Sequence, residues 1–166
     1  MEIRPLTSDA DRREAVPIVR QLWSDATAGE VLDWTGEENY HLFGAVEGAS
    51  EGTGHEDGGA AACDGDLVGV GDGDLVGVAG VLVAGHLHHV RLAWLYDLVV
   101  DEPRRGEGYG TALVDHVEAW AADRGLDRVA LASPLSKEDV HAFYGDRGYE
   151  RWGYVLERGL EEAGRS

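Results

Sequence analysis

The stretch from Leu95 to Val114, LYDLVVDEPRRGEGYGTALV, constrains this chain more than any other. An apolar run gives way to the polar residues Asp101 to Arg105, then to glycines at 106, 108 and 110, and finally to apolar residues at helical spacing. That order predicts a buried strand over Leu92 to Val100, ended by Asp101, Glu102 and Pro103, and a helix whose N-terminus opens on the glycine loop. Unpaired backbone N–H groups converge at such an end, and the helix dipole adds positive potential. Gly106, Gly108 and Gly110 carry no side chain that would keep a pyrophosphate off the backbone, and Arg105 supplies a guanidinium. The expectation is an anion site.

The standard nucleotide motifs fit this segment poorly. A dinucleotide fold places G-x-G-x-x-G straight after its strand, whereas here Thr111 stands near the third glycine position and the acidic-basic lead-in intervenes. A P-loop needs Gly-Lys-Ser/Thr, which the stretch lacks. Binding of some other phosphorylated nucleotide stays open at this point.

The remaining pattern supplies elements around that motif. Glu2 to Leu6 reads as a strand, and Thr7, Ser8 or Asp9 can cap a helix with Val16, Val19, Leu22 and Trp23 on one face. A shorter helix containing Glu30, Val31, Leu32 and Trp34 lies between Gly29 and Gly36, and Tyr40 to Glu47 reads as a strand. Gly48 to Gly59 is glycine-rich and acidic, and reads as a surface loop. DGDLVGVG at Asp64 to Gly71 repeats as DGDLVGVA at Asp72 to Ala79. The even offset keeps the same side chains on the same sheet face, so the second copy, continuing to Ala84, is expected as the third strand and the first as part of an inserted hairpin. After the glycine motif, Leu113, Val117, Trp120 and Ala121 mark a long helix stopped by Gly125, and Val129 to Ala132 a strand. Ser136 can cap a helix from Lys137 to about Asp146, and Tyr149 to Tyr154 and Val155 to Leu160 read as closing strands. The order predicts an α+β fold, with a mixed sheet flanked by about four helices.

Composition narrows the partners. The 166 residues form a single expected domain, with a Gly-rich acidic insertion at about 48–72. A formal net charge of -18 argues against nucleic acid, whose binding needs clustered cations. Lys137 is the one lysine among 14 basic residues, a bias resembling proteins of salt-loving microbes. No apolar run approaches the roughly 20 residues needed to cross a bilayer, and no charged-then-apolar signal opens the chain, so a soluble cytoplasmic protein with no membrane partner is expected. Cys63 is the only cysteine, which excludes an internal disulfide and a Cys-based zinc cage. Asp64, Asp66, Asp72 and Asp74 start a calcium-loop pattern that fails at Val76 and Val83, leaving Asp-Gly turns. His86, His88 and His89 read as a solvated strand end rather than a metal site, and His41, His116 and His141 as isolated surface or interface residues. No metal is expected.

The quoted residues resemble the GNAT superfamily of acyl-CoA-dependent N-acetyltransferases. Its Arg/Gln-x-x-Gly-x-Gly/Ala signature after an apolar-Val-Asp-Pro-like run is matched by Leu98, Val99, Val100, Asp101, Pro103, Arg105, Gly108 and Gly110. An aromatic-Tyr pair shortly before Gly-aromatic follows as Phe143, Tyr144, Gly148 and Tyr149. The resemblance implies a mostly antiparallel central sheet of six to seven strands. It also implies acetyl-CoA as cosubstrate, its pyrophosphate on Arg105, Gly106, Glu107, Gly108, Tyr109, Gly110 and Thr111 and its pantetheine arm on backbone groups of Leu98, Val99 and Val100. An amine, on a small molecule or a peptide, would then attack the thioester directly, with a main-chain N–H near Val99 or Val100 on the developing oxyanion.

Roles for single side chains follow from the same resemblance. Tyr144 matches the general acid that protonates the departing thiolate; read by helix spacing alone, it is a core aromatic. The usual base positions at Trp94, Tyr96 and Ala132 carry no carboxylate, which leaves Asp97 to bind or deprotonate the amine or else to serve as a sheet-edge or turn partner. Lys137 falls where relatives contact coenzyme A with Asn, and it reads equally as a solvated first-turn lysine. The missing base keeps a rival in play, a non-catalytic acyl-CoA sensor or partner-binding domain of the same fold. Two copies pairing through the last strands is an arrangement the sequence leaves open.

Overall fold

The computed structural model describes residues 1–48, 73–87 and 90–158. Among these the chain forms β1 (Glu2–Pro5), α1 (Asp9–Val19), α2 (Ala28–Thr35), β2 (Tyr40–Glu47), β3 (Asp74–Leu87) and β4 (Val90–Val100). A 3-10 turn (Glu102–Arg104), α3 (Tyr109–Asp123), β5 (Arg128–Leu131) and α4 (Glu138–Asp146) follow. The chain divides into two compact units, Met1–Ala130 and Leu131–Ser166.

The strands lie in the order β1-β2-β3-β4-β5. β1 to β4 form an antiparallel meander with Ile3 opposite Ala45, Phe43 opposite Ala79 and Val78 opposite Val99. β5 returns after α3: the Asp127 N–H donates to Arg91 O at 2.7 Å, so β5 begins level with the start of β4 and runs parallel to it. The second repeat copy supplies β3 from Asp74, as expected. The first copy, Cys63, Asp64, Asp66, Asp72, His88, His89 and the insertion beyond Gly48 lie outside the described residues.

Period-two alternation sorts the sheet into two faces. Leu42 and Val78 join Leu6, Ala15, Val16, Ile18, Val19, Val31 and Val99 in a buried cluster under α1 and α2. The intervening positions meet α3, where a Cβ on Gly77 would stand 3.2 Å from Leu113 Cδ1 and Phe43 lies 5.3 Å from the Trp120 ring. Leu113, Val114, Val117 and Ala121 are buried on that side. His41 and His116 belong to this layer too, 4.8 Å from Trp120 and 4.9 Å from Phe43. Burial lowers the pKa of both, and neither is isolated, although the sequence suggested isolated surface or interface residues.

Several element ends differ from expectation. α1 stops at Val19, two residues past Pro17, and the chain then tightens through Gln21 N–H to Ile18 O and Leu22 N–H to Val19 O. Leu22 and Trp23 therefore lie beyond the helix, exposed at 38% and 44%. α2 begins one residue before Gly29, because Thr27 caps it.

In the second unit, Tyr144 of α4 is buried between the edges of Phe143 and Tyr149, with centroids at 5.0 and 5.1 Å. Lys137, not Ser136, occupies the N-cap, with no side-chain cap bond. No strand forms over 150–158, where Trp152, Tyr154, Val155 and Leu156 are exposed. The closing strands expected at Tyr149 to Tyr154 and Val155 to Leu160 are thus absent among the described residues, and the sheet has five strands rather than six to seven. Alternation marks the faces of a strand, but a ladder also needs a partner edge, which a local pattern does not specify.

Candidate active site

Of the four helices, α1 and α2 are closed at their N-termini by side chains, α4 has no cap bond but two acidic residues in its first turn, and α3 has neither. Ser8 with Asp11 and Thr27 with Glu30 form reciprocal capping boxes on α1 and α2. α3 instead starts after Gly108, with no side-chain cap bond and no acidic residue in its first turn. Gly106 and Gly108 have φ of +84° and +91°, a conformation that favours glycine. Gly110 has no such demand, since a Cβ there would sit 3.6 Å from Val100 Cγ2, an ordinary contact. Among the described residues, the N–H groups of Gly106 to Thr111 donate to no backbone carbonyl outside the regular elements, and a helix gives its first N–H groups no internal partner. The result is an uncapped, positively polarised cradle of donors that fits a pyrophosphate.

The two arginines before the cradle are used differently. Arg104 pairs with Glu47 and lies 3.3 Å from Glu107, and its Nη2 donates to the Tyr109 hydroxyl at 2.9 Å. Tyr109 is buried and its hydroxyl donates to Glu47 Oε1 at 2.9 Å, so only its backbone serves the loop. The Tyr109 bond and the Arg104 charge lower the Glu47 pKa. Arg105 is exposed, with Nε donating to Val100 O at 3.1 Å and Nη2 to Gln21 Oε1 at 3.2 Å.

Farther down β4 the ladder is irregular. Gly80 of β3 faces Asp97 but Val81 faces Leu95, so Tyr96 is an extra residue, a β-bulge beside Asp97. Asp97 is 1% exposed. Its Oδ1 accepts from Trp23 Nε1 at 2.5 Å and its Oδ2 from the Tyr40 hydroxyl. Tyr40 is also hydrogen-bonded by Trp34, whose ring meets Trp23 edge-on at 6.3 Å. Burial raises the Asp97 pKa although the bonds from Trp23 and Tyr40 pull the other way, and burial and the Asp97 charge raise that of Tyr40. Gly80 makes the arrangement feasible, because a Cβ there would stand 1.7 Å from the Tyr40 hydroxyl.

Leu98, Val99 and Val100 continue β4 from Asp97 to the cradle. β5 has four residues and starts level with Arg91, so it spans only about 13 Å and ends before β4 does. The structure thus gathers Asp97, Leu98 to Val100 and Arg105 to Thr111 along one strand end and one helix start. Tyr144 and Lys137 belong to the second unit. Burial pushes the Tyr144 phenol up to about 12, and Lys137 is exposed. Trp23, Tyr40, Gly80 and Gln21 were not singled out from sequence; a glycine inside a strand, at Gly80, was the one available signal of a close approach.

Two recesses of about 440 Å³ flank this region. One has Glu14, Glu47, Asp74 and Asp101 around Arg104, a lining that repels phosphate. The other surrounds Trp34 with Asp25, Glu30, Asp33 and Glu37. Among the described residues no group of three or more His, Cys, Asp or Glu could hold a metal ion, and no helix is long and apolar enough to cross a membrane.

Comparison with known proteins adds a family. Residues 12–149 match the model of the Acetyltransferase (GNAT) family. The chain is 26% identical over 151 residues to an uncharacterized N-acetyltransferase, YhdJ, of Bacillus subtilis (strain 168), which covers 89% of each sequence. Over 67 residues, 40% of this chain and 44% of the relative, it is 33% identical to the aminoalkylphosphonate N-acetyltransferase of Salmonella typhimurium (strain LT2). The solved ribosomal-protein-alanine N-acetyltransferase from Brucella melitensis biovar Abortus 2308 shares the fold, with a TM-score of 0.68 at 18% identity over 95% of this chain and 98% of that one.

Proposed function

We propose, since the chain belongs to the GNAT acetyltransferase family, that it moves an acetyl group from acetyl-CoA to a primary amine on a small molecule or peptide. The observation that carries this reading is the uncapped α3 cradle at the end of β4. Acetyl-CoA supplies a thioester carbonyl open to attack. The N–H groups of Gly106 to Thr111, with Arg105, hold its pyrophosphate, and the backbone of Leu98 to Val100 past the end of β5 pairs with the pantetheine arm. An N–H near Val99 or Val100 donates to the carbonyl oxygen as charge develops there. The amine attacks directly in a ternary complex, forming the C–N bond as the C–S bond breaks.

The departing thiolate takes the proton of Tyr144, whose pKa of about 12 keeps the phenol protonated across the working range. The acceptor side is formed around Asp97, Trp23, Tyr40 and Trp34. That both Asp97 oxygens are already bonded supports Asp97 as the anchor of this wall, with the amine's proton leaving to water. Lys137 at the start of α4 is assigned to the coenzyme. The acidic surface suits a protein working in high salt, and we read residues 1–166 as one catalytic domain.

Acetyl-CoA titrated by calorimetry in about 2 M KCl, where the Debye length is under about 3 Å, tests the cradle. Saturable binding that weakens at least tenfold in Arg105→Ala supports it, and no binding to folded protein overturns the acetyltransferase reading. Tyr144→Phe is expected to lower the rate of thiol release by about 100-fold while coenzyme binding persists. A protein that binds acetyl-CoA but acetylates no amine, and is indifferent to that substitution, would be an acyl-CoA sensor.

A further inference from the structure

We infer that Gln21 is a positioning residue for the coenzyme, holding Arg105 in place over the cradle. The inference rests on the acetyl-CoA reading of that cradle. Gln21 lies just past the end of α1, yet its side chain reaches the turn after β4 through three hydrogen bonds. Its Nε2 donates to Asp101 Oδ1 at 2.5 Å, and its Oε1 accepts from the Glu102 N–H at 3.1 Å and from Arg105 Nη2 at 3.2 Å. Only an amide answers both needs at once. A carboxylate would face Asp101 with like charge, and an ammonium would face Arg105.

The contrast with Arg104 shows what this accomplishes. Arg104 spends its charge on Glu47 and Glu107, whereas Arg105 forms no ion pair with a carboxylate among the described residues. Its two bonds, to the Val100 carbonyl and the Gln21 amide, are to neutral oxygens, so its charge stays uncompensated and its other N–H groups remain for an anion. In a chain of net charge -18, a cation left without a carboxylate partner among the described residues calls for a neutral tether, and Gln21 is that tether. The same segment then delivers Trp23 to Asp97, so the few residues after α1 grip β4 at Asp97 and the turn at Asp101.

The test compares CoA with S-acetylpantetheine, which has the thioester and the arm but no phosphate. Gln21→Ala, and Gln21→Met, which keeps the stem without the amide, are expected to raise the Kd for CoA about tenfold. In turnover, KM for acetyl-CoA rises while kcat at saturation and KM for S-acetylpantetheine move less than twofold. In an Arg105→Ala background the Gln21 substitution adds less than twofold, because the residue acts through Arg105. Equal weakening of both probes would mean a merely structural residue and overturn the inference, as would an unchanged Kd or full additivity with Arg105→Ala. Wild-type protein that binds no CoA at all would fail the underlying function, and the inference with it.

Discussion

At the scale of single residues, the Asp97 cluster shows how one glycine and one carboxylate organise the packing of three aromatic side chains. Gly80 has no Cβ to strike the Tyr40 hydroxyl, so Tyr40 can lie over β3 and reach Asp97. The cost is a buried carboxylate with a raised pKa. A raised folded-state pKa means that the folded protein binds more protons than the unfolded chain once pH exceeds the unfolded value of about 3.9. The stability Asp97 contributes is therefore full below that pH and is lost as pH rises through its folded pKa. The stability of wild type relative to Asp97→Asn is expected to fall as pH rises above about 4, as measured by urea unfolding at each pH; a constant difference would contradict a raised pKa. Asp97 was legible as a candidate because it stands beside the motif, but its partners were not, since Trp23 and Tyr40 lie 74 and 57 residues away.

At the scale of elements, the chain treats helix starts in two ways. Where a helix only has to be stable, Ser8 or Thr27 answers the free N–H groups and Asp11 or Glu30 completes the box. Thr27→Ala is expected to cost about 1 kcal/mol in chemical denaturation, with the coenzyme Kd unchanged, because α2 is not part of the cradle. At α3, the helix proposed to bind the coenzyme, no side chain caps the first N–H groups. These starts were readable from a few adjacent residues, and the strand-loop-helix over 92–123 formed where its pattern placed it. The length of α1 was less readable: Leu22 and Trp23 continue its apolar face, but the helix ends at Val19 and Trp23 is drawn to Asp97 instead.

At the scale of the whole molecule, 32 acidic residues against 14 basic ones make self-repulsion a general cost of folding. Raising KCl from about 0.1 to 2 M shrinks the Debye length from about 10 Å to under 3 Å, so the thermal midpoint is expected to rise with salt. A midpoint that is flat or falling in calorimetric scans would show that the surface charges are already balanced locally. Sequence alone determined the family signature, the α+β element order as far as α4 and the strand, glycine turn and helix over 92–123, because each depends on residues within a turn or two of one another. The tertiary structure decided what Asp97 and Gln21 touch, which histidines are half-buried between the sheet and α3, and that the alternating residues 150–158 form no strand. Those outcomes depend on pairings across tens of residues, where register and a partner edge matter, and no local pattern of side chains encodes either.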